Sequence, residues 1–283
     1  MARRYVITFG CPDQIGIVAT IATFLADAGG TIVQAAYHTD PDSGWFFTRQ
    51  EVAADSLPFD ADELRSRFAD TVADLGGDWH ILDTAERRRV VILVSKESHC
   101  LYDILGRVAA GELDVEVSAV IGNHPDLATI TEAHGIPFHH VPFPREDKET
   151  AFAKVAELVD AADPHAIVLA RFMQILPAEL CRQWTGRALN IHHSFLPSFV
   201  GAKPYHQAHR RGVKLIGATC HYVTAELDAG PIVEQDVIRV GHGDSVPDMV
   251  RKGRDIEKVV LSRGLRWHLE NRILVHGNKT VVL

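Results

Sequence analysis

The first part of the chain alternates between two hydrophobic periods. Arg4–Phe9 is short and β-rich, and Gly10-Cys11-Pro12-Asp13 reads as a turn. Asp13 can then cap a helix over Gln14–Ala28, in which Ile15, Val18, Ala22 and Leu25 recur at helical spacing. Gly29-Gly30 closes that helix as glycine commonly does. Thr31–Thr39 alternates as a strand, Asp40–Gly44 is turn chemistry, and Trp45–Ala53 alternates again, so the pair is a hairpin. Phe59–Leu75 carries Leu64, Phe68, Val72 and Leu75 on one helical face, and Trp79–Leu82 follows as a fourth strand. The order βαββαβ predicts a ferredoxin-like unit.

After the polar junction Glu86–Arg89 the texture changes. Val90–Val94 is a continuous apolar run, as expected of a strand covered on both faces. Helical and strand patterns then alternate: helix Leu101–Ala109, strand Val115–Ile121, a helix around Leu127–His134, strand Phe138–Val141, helix Glu149–Ala161 and strand Ala166–Ala170. Leu189–His192, Ile216–Val223 and Ile232–Val240 are three further strands, Val246–Asn271 is helical, and a short strand closes the chain. This predicts an α/β protein of two domains, residues 1–85 and 86–283. The second is an open, mostly parallel, doubly wound sheet, whose ligands belong beyond the carboxyl ends of the strands.

Composition and charge narrow the class. At 283 residues and 46% hydrophobic, the chain can bury real cores. The net charge of −8 falls entirely on residues 1–85, where five Arg and no Lys stand against thirteen Asp and Glu. No basic tail or stripe exists, which argues against nucleic acid as a partner. No apolar stretch approaches the roughly 20 residues of a membrane helix, and the N-terminus reads as a strand rather than a signal peptide. Cys11, Cys100, Cys181 and Cys220 are scattered, which fits reduced thiols in the cytoplasm and neither a disulfide framework nor a zinc site.

No glycine-rich nucleotide fingerprint follows any strand, no His-Glu-x-x-His occurs, and the sixteen histidines show no metal-like clustering, so no metal is expected. The informative stretch is Leu189-Asn-Ile-His-His-Ser-Phe-Leu-Pro-Ser198. Strand alternation puts Asn190 and His192 on one side, with Ile191 and His193 on the other. Pro197 and Gly201 break the chain beyond it. A carboxamide can hold a developing oxyanion, and an imidazole can move a proton near neutral pH. Asp228, on the turn Leu-Asp-Ala-Gly-Pro, is a candidate to orient water. No Ser or Cys sits on a nucleophile elbow, so direct attack by water fits better than an acyl-enzyme. Taken singly, Asn-x-His and Asp-Ala-Gly-Pro are ordinary strand and turn sequences. His193, His206, His209 and His221 read as structural or solvent-facing, and Phe172, Met173, Ile175 and Leu176 read as core.

Together, Leu169-Ala-Arg-Phe-Met-Gln-Ile-Leu176, Asn190-Ile-His-His-Ser-Phe-Leu-Pro197, Gly201-Ala-Lys-Pro-Tyr205, Gly217-Ala-Thr-Cys-His-Tyr-Val223 and Asp228-Ala-Gly-Pro231 resemble the folate-dependent formyltransferase family. The resemblance runs from about Val90 to Val240. It implies catalytic roles for Asn190, His192 and Asp228. It implies folate contacts at Arg171, Phe172, Met173, Gln174, Ile175 and Leu176, and at Thr224, Ala225 and Glu226. It implies 10-formyltetrahydrofolate as substrate, with no separate cofactor. The family's glycinamide ribonucleotide transformylase takes its phosphorylated amine on a Gly/Ser-rich loop after the first strand. Here that loop is Ser95-Lys-Glu-Ser-His-Cys100, where Glu97 and the lack of glycine make a poor phosphate cradle.

The βαββαβ order and Asp13-Gln-Ile-Gly-Ile17 resemble an ACT domain, a small-ligand regulatory module. That resemblance implies an amino-acid effector, glycine or methionine, at Asp13, Gln14, Ile15 and Gly16, and a homodimer or homotetramer. An ACT-type domain ahead of such a formyltransferase-type domain is similar to the hydrolytic branch of the family. That branch releases formate for purine synthesis and balances the one-carbon folate pool. Transfer of the formyl group to an unidentified amine is the alternative.

Overall fold

The computed structural model describes residues 2–198 and 204–283, so part of the expected Gly201–Tyr205 motif, residues 201–203, lies outside the described residues. Two compact units emerge. The first takes the chain up to Arg87 together with Glu270–His276 and Val281–Leu283; the second takes Arg88–Leu269 and Gly277–Thr280. A single break at 85/86 therefore needs correction. The C-terminal tail is divided between the units, a long-range return that local pattern does not reveal.

The first unit runs β1 (Arg4–Pro12), α1 (Ile17–Asp27), β2 (Ile32–Asp40), β3 (Trp45–Ala53), α2 (Ala61–Val72) and β4 (Asp78–Asp83). Its antiparallel sheet has the order β2-β3-β1-β4, as a βαββαβ chain requires. Tyr5, Ile7, Phe9 and Cys11 alternate into the core and meet Ile17, Ile21 and Leu25 of α1 and Leu64, Phe68 and Val72 of α2. Asp60 caps α2 by accepting from the amides of Asp62 and Glu63. The start of α1 differs from expectation. β1 continues through Gly10, Cys11 and Pro12, paired with Phe47, Phe46 and Trp45, so no turn occurs there. Asp13 caps nothing; its amide donates to Gly44 O, and Gly16 precedes the helix at φ 99°, a left-handed conformation that glycine tolerates. The helix starts three residues late, which moves its buried face to Ile17, Ile21 and Leu25 and leaves Ile15 in solvent.

The second unit runs β5 (Arg88–Val94), α3 (His99–Ala109), β6 (Val115–Gly122), α4 (Ala128–Ala133), β7 (Phe138–His140), α5 (Lys148–Ala162), β8 (Ala166–Ala170), α6 (Ala178–Gln183), β9 (Ala188–His192), α7 (Pro204–Arg211), β10 (Leu215–Tyr222), β11 (Ile232–Arg239) and α8 (Val246–Leu269). The short α6 and α7 had no clear apolar period. The final stretch is a hairpin, β12 (Ile273–His276) and β13 (Lys279–Val282), rather than one strand. The sheet order is β11-β10-β9-β8-β5-β6-β7, parallel from β9 to β7 and antiparallel at β10 and β11. Val90–Val94 is fully buried, as the two-sided cover of a central strand demands. From β5 the chain winds to β6 and β7 on one side and, after α5, to β8 and β9 on the other. The switch point lies between the carboxyl ends of β5 and β8, where such sheets open a crevice. Ser95, just past β5, ties the two ends by accepting at Oγ from the amide of Met173 (2.9 Å).

Candidate active site

β9 lies between β8, parallel to it, and β10, antiparallel to it, and Asn190 stands opposite His221 across the β9–β10 ladder. Residues opposite each other on such a ladder point to the same face. The Asn190 Nδ2 and His221 Nε2 atoms are 3.1 Å apart, and His221 Nδ1 is 2.9 Å from Tyr222 O. A carbonyl only accepts, so the proton sits on Nδ1, and Nε2 accepts from the Asn190 amide. Burial keeps the His221 pKa below its ordinary value, which favours this neutral form. One Asn190 N–H is thereby fixed and its second is available to a ligand. The reading of His221 as merely structural is corrected: antiparallel register, invisible along the chain, brings it into the site.

Asp228 sits on the turn after β10 at φ 56°, with Oδ1 3.3 Å from His192 Nδ1 and 3.8 Å from His221 Nε2. Its hydrogen bond with His192 holds the carboxyl below the usual range, against the opposing effect of burial. The carboxylate faces Nδ1, so Nδ1 carries the proton of a neutral His192. Its Nε2 is buried and has no hydrogen-bond partner among the described residues. Asn190, His192 and Asp228 thus lie close together.

They line a cleft of about 400 Å³. Of the expected folate-contact residues, Arg171–Leu176, Thr224 and Ala225 line it, but Glu226 does not. Thr224 Oγ1 donates to Glu226 O (3.0 Å), and this tight turn leaves the Glu226 side chain in solvent and presents Leu227 to the cleft instead. The 172–176 stretch splits: Phe172 and Leu176 enter the core, whereas Met173 and Ile175 stay exposed at the cleft. Exposed apolar side chains around polar groups suit a flat aromatic ligand with a reactive substituent. His193 also lines the cleft, contrary to expectation, because β9 ends at His192 and strict alternation ends with it. Burial, with the charge of Arg171, pushes its pKa down to about 4. His206 and His209, on α7, are exposed as expected.

A second polar group lies against Arg171, itself a cleft-lining residue. Glu257 of α8 is 1% exposed; it is 2.8 Å from His99 Nε2, accepts from Tyr205 Oη (2.7 Å) and faces Arg171 Nε at 3.4 Å. Burial would raise its carboxyl, yet these partners hold it below the ordinary value. His99, Cys100 and Glu257 bring potential metal-ligand atoms within 4.8 Å of one another, a convergence that scattered sequence positions did not reveal. The Arg171 cation beside Glu257 already supplies positive charge there. Asp13, Gln14, Ile15 and Gly16 lie in the first unit, exposed on the link into α1, where Gln14 Nε2 donates to Leu75 O. No helix among the described residues is long and apolar enough to cross a membrane.

Residues 88–265 match the model of the formyl transferase family. A formyltetrahydrofolate deformylase from Corynebacterium sp. is 46% identical over 280 residues, 99% of this chain and 98% of that relative. The crystal structure of a formyltetrahydrofolate deformylase from Pseudomonas syringae pv. tomato superposes with a TM-score of 0.99 at 57% identity, covering 100% of this chain and 95% of that one. A glycinamide ribonucleotide transformylase from Symbiobacterium toebii, with a TM-score of 0.67 and 28% identity, covers 72% of this chain and 98% of its own. The similarity to the deformylases therefore extends through both units, and the chain belongs to the formyltetrahydrofolate deformylase family.

Proposed function

We propose that this chain hydrolyses 10-formyltetrahydrofolate to formate and tetrahydrofolate. The convergence of Asn190, His192 and Asp228 in one cleft with an apolar mouth carries the reading. Asp228, through Nδ1, holds His192 so that the pair orients the water, and the water's proton passes to His192 Nε2 as the water oxygen bonds to the formyl carbon. The carbonyl electron pair moves to oxygen, and that oxyanion is held by the free Asn190 N–H and by protonated His192. Collapse restores the carbonyl and breaks the C–N bond, and the folate nitrogen leaves with a proton from His192 or solvent. A fixed donor at such an oxyanion contributes about 3 kcal/mol, because it need not reorganise as charge develops. The product formate supports purine synthesis. Incubation of the enzyme with 10-formyltetrahydrofolate and no amine tests the reading: stoichiometric tetrahydrofolate and formate are expected. Turnover that begins only on adding an amine points to the formyl-transfer alternative. The reading uses no metal, so the rate should survive a chelator.

The first unit fits an ACT-type effector and assembly module on its βαββαβ order. The edge strand β2 leaves Ile32, Val33 and Tyr37 exposed, which suits a homodimer or homotetramer. Titrating the hydrolysis rate with glycine and methionine tests the effector role, and a flat response to both would remove it.

A further inference from the structure

Arg171 follows the last residue of β8, at the switch point of the sheet, with φ 65°. A long cationic side chain gains nothing from that left-handed backbone, which glycine would take without strain. What the conformation achieves is placement. Arg171 lines the cleft with Asn190, His192 and Asp228, and its side chain is 13% exposed. Glu257 balances its charge from behind, at 3.4 Å from Nε, and is itself locked by His99 and Tyr205. That contact is an ion pair without a hydrogen bond: the buried Nε finds no hydrogen-bond acceptor among the described residues. A buried N–H donor is costly when unmet, so a charge-balanced cation with an unmet Nε–H on a cleft wall fits an acceptor that comes and goes. Its neighbour His193 is held neutral by burial at physiological pH and adds no second cation.

We propose that Arg171 is a carboxylate-binding residue that takes the formate released in this cleft. The inference rests on the hydrolytic reading. Two parallel N–H groups match the two oxygens of a carboxylate. The glutamate tail of the folate carries the same chemistry, but the depth of Arg171 favours the one-carbon anion over a bulky tail.

The test reads binding directly, without turnover. 13C-formate is titrated into the full-length enzyme and into Arg171→Gln, followed by NMR line broadening. Saturable binding to the wild type, weakened tenfold or more in the variant, is expected. Arg171→Gly serves as the second variant, since glycine accepts the backbone conformation, and it should show the same loss. No saturable binding to the wild type, or equal binding in wild type and folded variants, overturns the proposal. KM is compared for 10-formyltetrahydrofolate and for an analogue lacking the glutamate tail. A defect in the variants confined to the tailed substrate assigns Arg171 to the tail and also overturns it. If the wild type binds formate yet releases none from 10-formyltetrahydrofolate, the hydrolytic reading alone fails.

Discussion

Asn190 gives one amide proton to His221 and keeps the other for the cleft, so its orientation depends on a neighbour that need not touch substrate. Asn190→Ala should lower kcat on the order of a hundredfold, matching about 3 kcal/mol for a lost oxyanion donor. His221→Phe should lower kcat less, with KM nearly unchanged, because the amide remains but loses its anchor; steady-state kinetics of the two variants checks this. Acid sensitivity also arises from single residues. His193 has a folded pKa of about 4 against an ordinary 6.5, so the unfolded chain binds its proton first. Stability should therefore fall as pH drops from about 6.5 to about 4, by on the order of 3 kcal/mol, and level off below. Asp228, depressed in the folded state, adds a further loss below its ordinary value near 3.8. Denaturant melts of the wild type and His193→Gln across this range check the sign: the variant should show the flatter dependence.

Between elements, the close approach of α8 and α7 fixes Glu257. A Cβ at Gly253 would lie 1.9 Å from Tyr205 Oη, the hydroxyl that donates to Glu257. Gly253→Ala must therefore push Tyr205 aside and leave a buried carboxylate one hydrogen bond short. A loss of about 2 kcal/mol in thermal unfolding is expected, despite the better helix propensity of alanine. An unchanged or raised midpoint would show that the two helices separate at little cost. The ladder between β9 and β10 acts in the same way on the catalytic groups. It brings His221 beside Asn190, and the turn beyond β10 returns Asp228 to His192.

Across the whole molecule, the last residues serve both units. Arg49, 6% exposed, donates to the carbonyls of Glu270 and Asn271, and Trp45 stacks on His276 with ring centroids 4.3 Å apart. Within the second unit, Asn278 Nδ2 donates to Ala229 O, next to Asp228 in the chain. Deleting residues 270–283 should cost the first unit about 2 kcal/mol or more, since a buried guanidinium loses two acceptors and, among the described residues, keeps Glu51. The same deletion should lower kcat by loosening the Asp228 turn. Calorimetry and formate-release kinetics on the truncated chain check both outcomes.

Local pattern was enough for the two sheets and for the side of β9 that bears Asn190 and His192, because strand and helix periods are written in consecutive residues. The turn chemistry around Asp228 was legible for the same reason, and five ordered motifs together pointed to the family. Pattern failed where a boundary had weak punctuation: α1 starts at Ile17 because β1 outruns its apparent turn, and the two short helices carry no period long enough to read. It also failed wherever partners are distant in the chain. His221 meets Asn190 through antiparallel register, Glu257 meets His99, Tyr205 and Arg171 through the packing of α8, and the tail divides itself between two units. Such meetings are decided by how hydrophobic faces pack and by which buried charges must then find partners. Neither condition exists until the chain has folded.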